Sequence, residues 1–126
     1  MKIDRILILE DDAFQRRFLQ LYLEAAGFSV EYAENGRDGI RILESHKSFD
    51  LIMSDLKMPV MNGIEFLIEI KKHRQLSDIP VVLLSKIDNP KIKEKTESLG
   101  AFQFMDKPFT NEKISHLLKT LEQVDL

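Results

Sequence analysis

The chain has no cysteine. That excludes a disulfide framework and any zinc site built on thiolates. It also lacks an apolar run of membrane-spanning length, and Met1-Lys2-Ile3-Asp4-Arg5 puts charges where a secretory signal would need an apolar core. A cytoplasmic location and no membrane contact are expected. There is no basic excess: the net charge is -3 and the pI about 5.6, which argues against direct nucleic-acid binding. Linkers, repeats and low-complexity segments are missing too. The three histidines, His46, His73 and His116, are far apart and share no ligand spacing, so they read as surface residues. What is present is a mixture of 44% hydrophobic and 31% charged residues over 126 positions, enough for one globular core and one domain over residues 1–126.

Five short apolar runs alternate with five helical patterns. Ile6-Leu7-Ile8-Leu9 is apolar throughout, as in a strand buried on both faces. A helix follows, with Asp12 as its cap, Gln15 at capping-box spacing, and Phe14, Phe18, Leu21, Tyr22 and Ala25 on one apolar stripe. Gly27 ends it. Residues Phe28 to Ala33 read as a second strand, and Asn35-Gly36 opens a helix carrying Ile40 and Leu43. The third strand is Leu51 to Ser54; the third helix starts at Asn62 or Gly63, with Ile64, Phe66, Leu67 and Ile70 inward, and runs to about Arg74. Pro80 to Leu84 is a fourth strand and Pro90 to Leu99 a Lys/Glu-rich helix with a thin apolar stripe, Ile92 and Leu99. Ala101 to Met105 is a fifth strand, and Asn111 to about Gln123 the last helix, with Ile114, Leu117, Leu118 and Leu121 inward. Strict alternation of apolar strands with helices predicts an α/β fold: a doubly wound, five-stranded parallel sheet with helices on both faces.

In such a sheet every strand ends on the same edge, and chemistry sits there. That edge collects Glu10 and Asp11 after the first strand, Asp55 after the third, Ser85 after the fourth and Lys107 after the fifth. Taken singly, an Asp before a turn is an ordinary turn residue. Together the residues are harder to explain as turn chemistry. Three crowded carboxylates repel, and a divalent cation relieves them; magnesium takes carboxylates, a backbone carbonyl and waters. With a lysine and a hydroxyl alongside, the set suits phosphoryl transfer onto a carboxylate.

The same residues carry a resemblance. Ile-Leu-Ile-Leu-Glu-Asp-Asp at 6–12, Phe-Asp-Leu-Ile-Met-Ser-Asp-Leu-Lys-Met-Pro-Val-Met-Asn-Gly at 49–63, Val-Val-Leu-Leu-Ser at 81–85 and Gly-Ala-Phe-Gln-Phe-Met-Asp-Lys-Pro-Phe at 100–109 resemble, in this order, a response-regulator receiver domain. The resemblance implies a flavodoxin-like sheet of order 2-1-3-4-5. It implies that Asp55 accepts a phosphoryl group from a sensor histidine kinase or a histidine phosphotransfer protein. Magnesium would be held by Glu10, Asp11, Asp55 and the backbone carbonyl of Lys57. Lys107 would pair with the phosphoryl group and Ser85 would hydrogen-bond it. Phe104 would be the aromatic switch that turns inward when Ser85 moves, reshaping the face of the fourth helix, fifth strand and fifth helix. The Lys107-Pro108 bond would be cis. The first helix would meet the phosphodonor, and phosphorylation-dependent dimerisation and the downstream target stay open. The chain would be a signalling phosphoacceptor rather than an enzyme, promoting its own phosphorylation and dephosphorylation.

Four positions depart from the usual pattern: Glu10 for Asp, Ser85 for Thr, Phe104 for Tyr, and Lys86 where a small residue usually follows the hydroxyl. A cation at Lys86 could shield the phosphoryl group, bind a partner or point to water, and the Lys57 side chain could alter the group's lifetime. Three other readings compete. A receiver that is never phosphorylated and serves as an interaction module would usually lack one of the acidic residues. A haloacid-dehalogenase-like phosphatase would want a second Asp at position 57, which is Lys. A flavin-binding protein would want a Ser/Thr/Gly phosphate loop where Glu10-Asp11-Asp12 stand.

Overall fold

The computed structural model describes residues 2–45, 48–86 and 89–123. Within them the order is β1 (Arg5–Leu9), α1 (Ala13–Ala25), β2 (Ser29–Ala33), α2 (Gly36–Glu44), β3 (Leu51–Asp55), α3 (Gly63–Lys72), β4 (Val81–Ser85), α4 (Pro90–Ser98), β5 (Gln103–Asp106) and α5 (Asn111–Glu122). The strands form one parallel sheet, β2-β1-β3-β4-β5. The expected architecture and strand order are therefore observed. Boundaries differ by a residue or two: β5 starts at Gln103 rather than Ala101, and α3 stops at Lys72 because His73 turns extended, at φ -87° and ψ 114°.

The pleat sends alternate residues to opposite faces. Ile6 and Ile8 join Leu51, Met53, Val82 and Leu84 in one core, closed by Leu19 and Leu23 of α1 and by Ile114, Leu117 and Leu121 of α5. Leu7 and Leu9 join Ile52, Val81, Leu83 and Phe104 in the other, with Leu43 of α2 and Phe66, Leu67 and Ile70 of α3. Complete burial of a Leu or Ile side chain contributes about 1.5–3 kcal/mol. The central strands thus need both helix layers, which is why they are apolar end to end.

The apolar stripe of α1 differs from the expected one. Phe14, Phe18 and Leu21 are exposed, Phe14 at 83%, and Ala25 is exposed as well; Leu19 and Leu23 face the sheet. The helix has apolar residues on two sides, and period 3.6 fits both. Contacts with other elements select between them: the Tyr22 hydroxyl donates to the Asn111 carbonyl at 3.2 Å, and the Arg16 guanidinium lies 4.5 Å from the Tyr32 ring centre. The thin stripe of α4 is as expected. Only Thr96 is fully buried on that helix, with Ile92 and the C-cap residue Leu99 partly so. His116 is exposed, His73 is half-buried, and His46 lies outside the described residues. No helix among the described residues is long and apolar enough to cross a membrane.

Candidate functional site

The strand order reverses between β1 and β3: one connection from β1 leads outward to β2, while β3 starts the run to β5. A crevice forms at such a reversal, beyond the carboxyl ends of the strands. Glu10 and Asp11 follow β1, Asp55 closes β3, Ser85 closes β4 and Lys107 follows β5. A cavity of about 300 Å³ lies there, lined by Asp11, Asp12, Gln15, Asp55, Lys57, Ser85, Lys86 and Lys107.

Glu10 and Lys107 form the floor, their side chains 1% and 6% exposed. Lys107 Nζ lies 3.0 Å from Glu10 Oε1 and 3.1 Å from Asp55 Oδ1, so one buried ammonium bridges two carboxylates. Its backbone N–H donates to the Ser85 carbonyl at 2.8 Å, tying the ends of β4 and β5. The Asp55 Oδ1 also accepts the Leu56 N–H at 2.9 Å. Burial, reinforced by the hydrogen bond and charge of Asp55, pushes the Glu10 carboxyl up to about 8, against the opposing pull of Lys107.

Carboxylate oxygens of Glu10, Asp11 and Asp55 all lie within 4.8 Å of one another. Glu10 Oε2 is buried and makes no hydrogen bond among the described residues. An orphaned carboxylate oxygen beside two further carboxylates is a donor set of the hard, oxygen-only kind that suits magnesium or calcium. These residues therefore fit a divalent cation.

Local structure holds the acids in place. Asp12 caps α1, its Oδ1 accepting the Gln15 N–H at 2.9 Å. Arg16 Nη1 donates to the Glu10 carbonyl at 3.1 Å and sits 3.8 Å from Glu34. The turn after β3 needs glycine at Gly63: a Cβ there would strike the Asp55 carbonyl oxygen, because α3 starts directly against the end of β3. Asn62 and Glu65 form a reciprocal capping box that starts this helix. The Lys107-Pro108 bond is cis.

The structure thus brings Glu10, Asp11, Asp55, Ser85 and Lys107 together as expected, with the Lys57 side chain and Lys86 exposed on the rim. Phe104 is elsewhere. Its ring is already 7% exposed in the core under α4 and does not line the cavity. Two residues were not anticipated here. Arg16 pins the Glu10 backbone, a contact that no sequence spacing announces. Gln15 sits in the cavity wall although its spacing suggested a capping box. Its side-chain oxygen instead is buried and has no hydrogen-bond partner among the described residues. A second, more apolar groove of about 360 Å³ adjoins the cavity, sharing Gln15, Lys86 and Lys107 and adding Phe14, Phe18, Pro108 and Phe109.

Known proteins are similar to this chain in sequence and in fold. The chain is 32% identical over 117 residues to a probable transcriptional regulator, ycf29, of Pyropia yezoensis, covering 93% of this chain and 52% of that protein. It is 41% identical over 112 residues to a protein-glutamate methylesterase/protein-glutamine glutaminase of Treponema denticola, covering 86% of this chain and 29% of the relative. The chain therefore spans about half, or less, of the length of these relatives. Among solved structures, chemotaxis response regulator CheY4 of Vibrio cholerae superposes with a TM-score of 0.87 at 29% identity, over 95% of this chain and 99% of that one. The receiver domain of a Pseudomonas aeruginosa sensor histidine kinase, solved with magnesium coordinated in its active-site cleft, shares the fold at a TM-score of 0.85 and 22% identity, over 95% and 98% of the two chains. The family model described as response regulator receiver domain matches residues 6–119. With an acidic crevice at the carboxyl ends of β1 and β3 and a lysine reaching it from the end of β5, this chain belongs to the response regulator receiver domain family.

Proposed function

We propose that the chain is a cytoplasmic phosphoacceptor, with Asp55 taking a phosphoryl group from the phosphohistidine of a sensor histidine kinase or histidine phosphotransfer protein. The observation that carries the reading is the bridge of Lys107 Nζ to both Asp55 and Glu10, 3.1 and 3.0 Å away, on the floor of an open cavity. Asp55 is the acid with a nucleophilic role: it ends β3, opens into the cavity, and has one oxygen already oriented by the Leu56 N–H and Lys107.

In the transfer, a carboxylate oxygen of Asp55 forms a bond to phosphorus as the donor's phosphorus–nitrogen bond breaks, and the imidazole leaves with the electron pair. Phosphoryl transfer needs positioning and charge neutralisation more than covalent help. Lys107 supplies a buried positive charge next to the new oxygens. Ser85, at the end of β4, offers its hydroxyl to them. Magnesium, held by Glu10, Asp11, Asp55 and the Lys57 carbonyl, would supply further neutralisation of the incoming charge when bound. The phosphoryl group adds about -1.5 to -2 charges. Ser85 is drawn toward that charge, and its strand neighbour β5 carries Phe104, which belongs to the core cluster that Ile92 of α4 and its C-cap Leu99 pack against. Because the Phe104 ring is already inside, the signal passes to the face made by α4, β5 and α5 as a shift in packing and does not require the ring to rotate inward. The exposed Phe14, Phe18 and Leu21 of α1, beside the adjoining groove, are the surface for the phosphodonor.

The test is incubation with a small phosphodonor, with and without magnesium, read by intact mass. Wild type is expected to gain one phosphoryl group only with magnesium, and Asp55→Asn to gain none while melting like wild type. Labelling that survives Asp55→Asn would assign another acceptor. A folded wild type that binds magnesium yet accepts no phosphoryl group, even from a phosphorylated kinase, would make the chain an interaction module.

A further inference from the structure

Lys113 stands where a helix start does not favour a cation. It is the third residue of α5, after the Thr110 cap, whose hydroxyl oxygen accepts the Lys113 N–H at 3.1 Å. The first turn of a helix carries positive partial charge and prefers acidic residues. The third position also suits the Glu or Gln of a capping box. Glu65 plays that part in α3, returning to the Asn62 N–H at 3.0 Å. Lys113 cannot, because an ammonium has no acceptor. Its side chain instead reaches past the cap. Nζ donates to the Asp106 carbonyl at 3.2 Å and to the Pro108 carbonyl at 3.1 Å.

Those two carbonyls bracket Lys107. That residue sits just beyond β5, in the irregular stretch 107–110 that leads to α5. Its N–H is held by the Ser85 carbonyl at 2.8 Å. Pro108 has no N–H to be held by, which leaves its carbonyl. Lys113 thus fastens the backbone on both sides of the residue whose ammonium lies 3.1 Å from Asp55. A lysine stem is long and flexible, so the place of its ammonium depends on how firmly its backbone is fixed.

We propose that Lys113 is a positioning residue for phosphoryl transfer: by bonding the carbonyls of Asp106 and Pro108 it holds Lys107 against Asp55. The inference rests on the phosphoacceptor reading above and adds a residue that does not meet the phosphoryl group. Lys113 is exposed and lines neither the acidic cavity nor the adjoining groove, so it acts through the turn. With the turn fastened, the Lys107 ammonium meets the new phosphoryl oxygens without first reordering the backbone, which is where a preorganised charge gains its effect.

The experiment compares wild type with Lys113→Met, which keeps the length and loses the donor, and Lys113→Glu, which loses the donor and supplies the missing half of a capping box with Thr110. Sub-stoichiometric acetylation by an amine-reactive ester, mapped by peptide mass, reads how well Lys107 is protected. Lys71, whose Nζ donates to the Ser77 carbonyl at 2.8 Å, is the internal control away from the turn. Labelling with phosphoramidate and magnesium, read by intact mass, gives the transfer rate. Both assays run at high salt, which screens the charge removed with Lys113. In both variants Lys107 acetylation is expected to rise about fivefold with Lys71 unchanged. Labelling is expected to slow by about threefold or more. Melting should stay at the wild-type temperature or rise in Lys113→Glu, because α5 starts better, so a loss of transfer there is not a loss of fold. Lys107 reactivity that is unchanged in both variants, or that rises together with that of Lys71, overturns the proposal. So does labelling at the wild-type rate while Lys107 is unprotected. A wild type that takes no phosphoryl group overturns the phosphoacceptor reading, and this inference falls with it; a labelled wild type with unaffected variants overturns this inference alone.

Discussion

Val60 shows how much a single residue can be asked to bear beside the site. It lies in the turn between β3 and α3 at φ 68°, the one positive φ outside glycine among the described residues. The Met61 N–H donates to the Pro59 carbonyl at 2.7 Å, closing a three-residue turn with Val60 at its centre. A β-branched side chain is poorly suited to this conformation, and such strain costs about 1–3 kcal/mol. The side chain is 78% exposed, so little packing is lost on replacing it. Val60→Asn is expected to raise stability by about 1 kcal/mol in a denaturant titration, since Asn tolerates positive φ; an unchanged midpoint would show that the turn is relaxed as it stands. Nothing in the sequence around Val60 marks this conformation. Asp55 and Lys107 are the opposite case. Each directly follows or ends an apolar strand, so its place on the sheet edge was legible from the run of apolar residues before it. Gln15 was legible only as a helix-start residue, because where a half-buried side chain points depends on what surrounds the helix.

At the level of the element, α1 separates what periodicity can say from what it cannot. Phe14, Phe18 and Leu21 form one apolar line, and Leu19 and Leu23 another. Both repeat at helical spacing. The sheet takes the smaller line, while the larger aromatic side chains face solvent next to the groove at Pro108 and Phe109. Exchanging the two faces would lift Arg16 off the Glu10 carbonyl and Tyr22 off α5. The expected consequence is sharp. Leu19→Ala should cost about 2–5 kcal/mol, as for a fully buried leucine, and Phe14→Ala less than about 0.5 kcal/mol. Comparable losses in thermal melting would contradict this orientation. The fourth helix is different: its single fully buried residue, Thr96, leaves it the helix most weakly held by apolar burial, consistent with an element that moves.

Across the whole molecule, the sheet edge concentrates negative charge that only one buried ammonium offsets. The consequence is a stability that depends on pH. Burial and Asp55 push the Glu10 carboxyl from 4.5 up to about 8. Between those values the folded chain holds a proton on Glu10 that the unfolded chain has released. Raising pH through this window therefore favours unfolding. In chelator, the melting temperature is expected to fall from pH 5 to pH 8, and Glu10→Gln should flatten most of that slope because it carries no proton to lose. Saturating magnesium should flatten it in wild type, since a bound cation favours the ionised carboxylate. A slope equally steep in Glu10→Gln would place its origin in another group.

By itself the sequence determined the strand and helix order, the parallel sheet, and the residues at each strand's end. These follow from local regularities: apolar runs too short for helices, caps such as Asp12 and Asn62, and glycines at turns. The strand order 2-1-3-4-5 came from the resemblance, and the sheet bears it out. Only the tertiary structure decided which face of α1 is buried, that Phe104 is already inside, that Arg16 holds the Glu10 backbone, and that the Gln15 side chain does not complete a capping box with Asp12. Each of these depends on groups far apart in sequence meeting in space, and side-chain direction on a helix with two apolar lines is settled by those meetings and not by spacing along the chain.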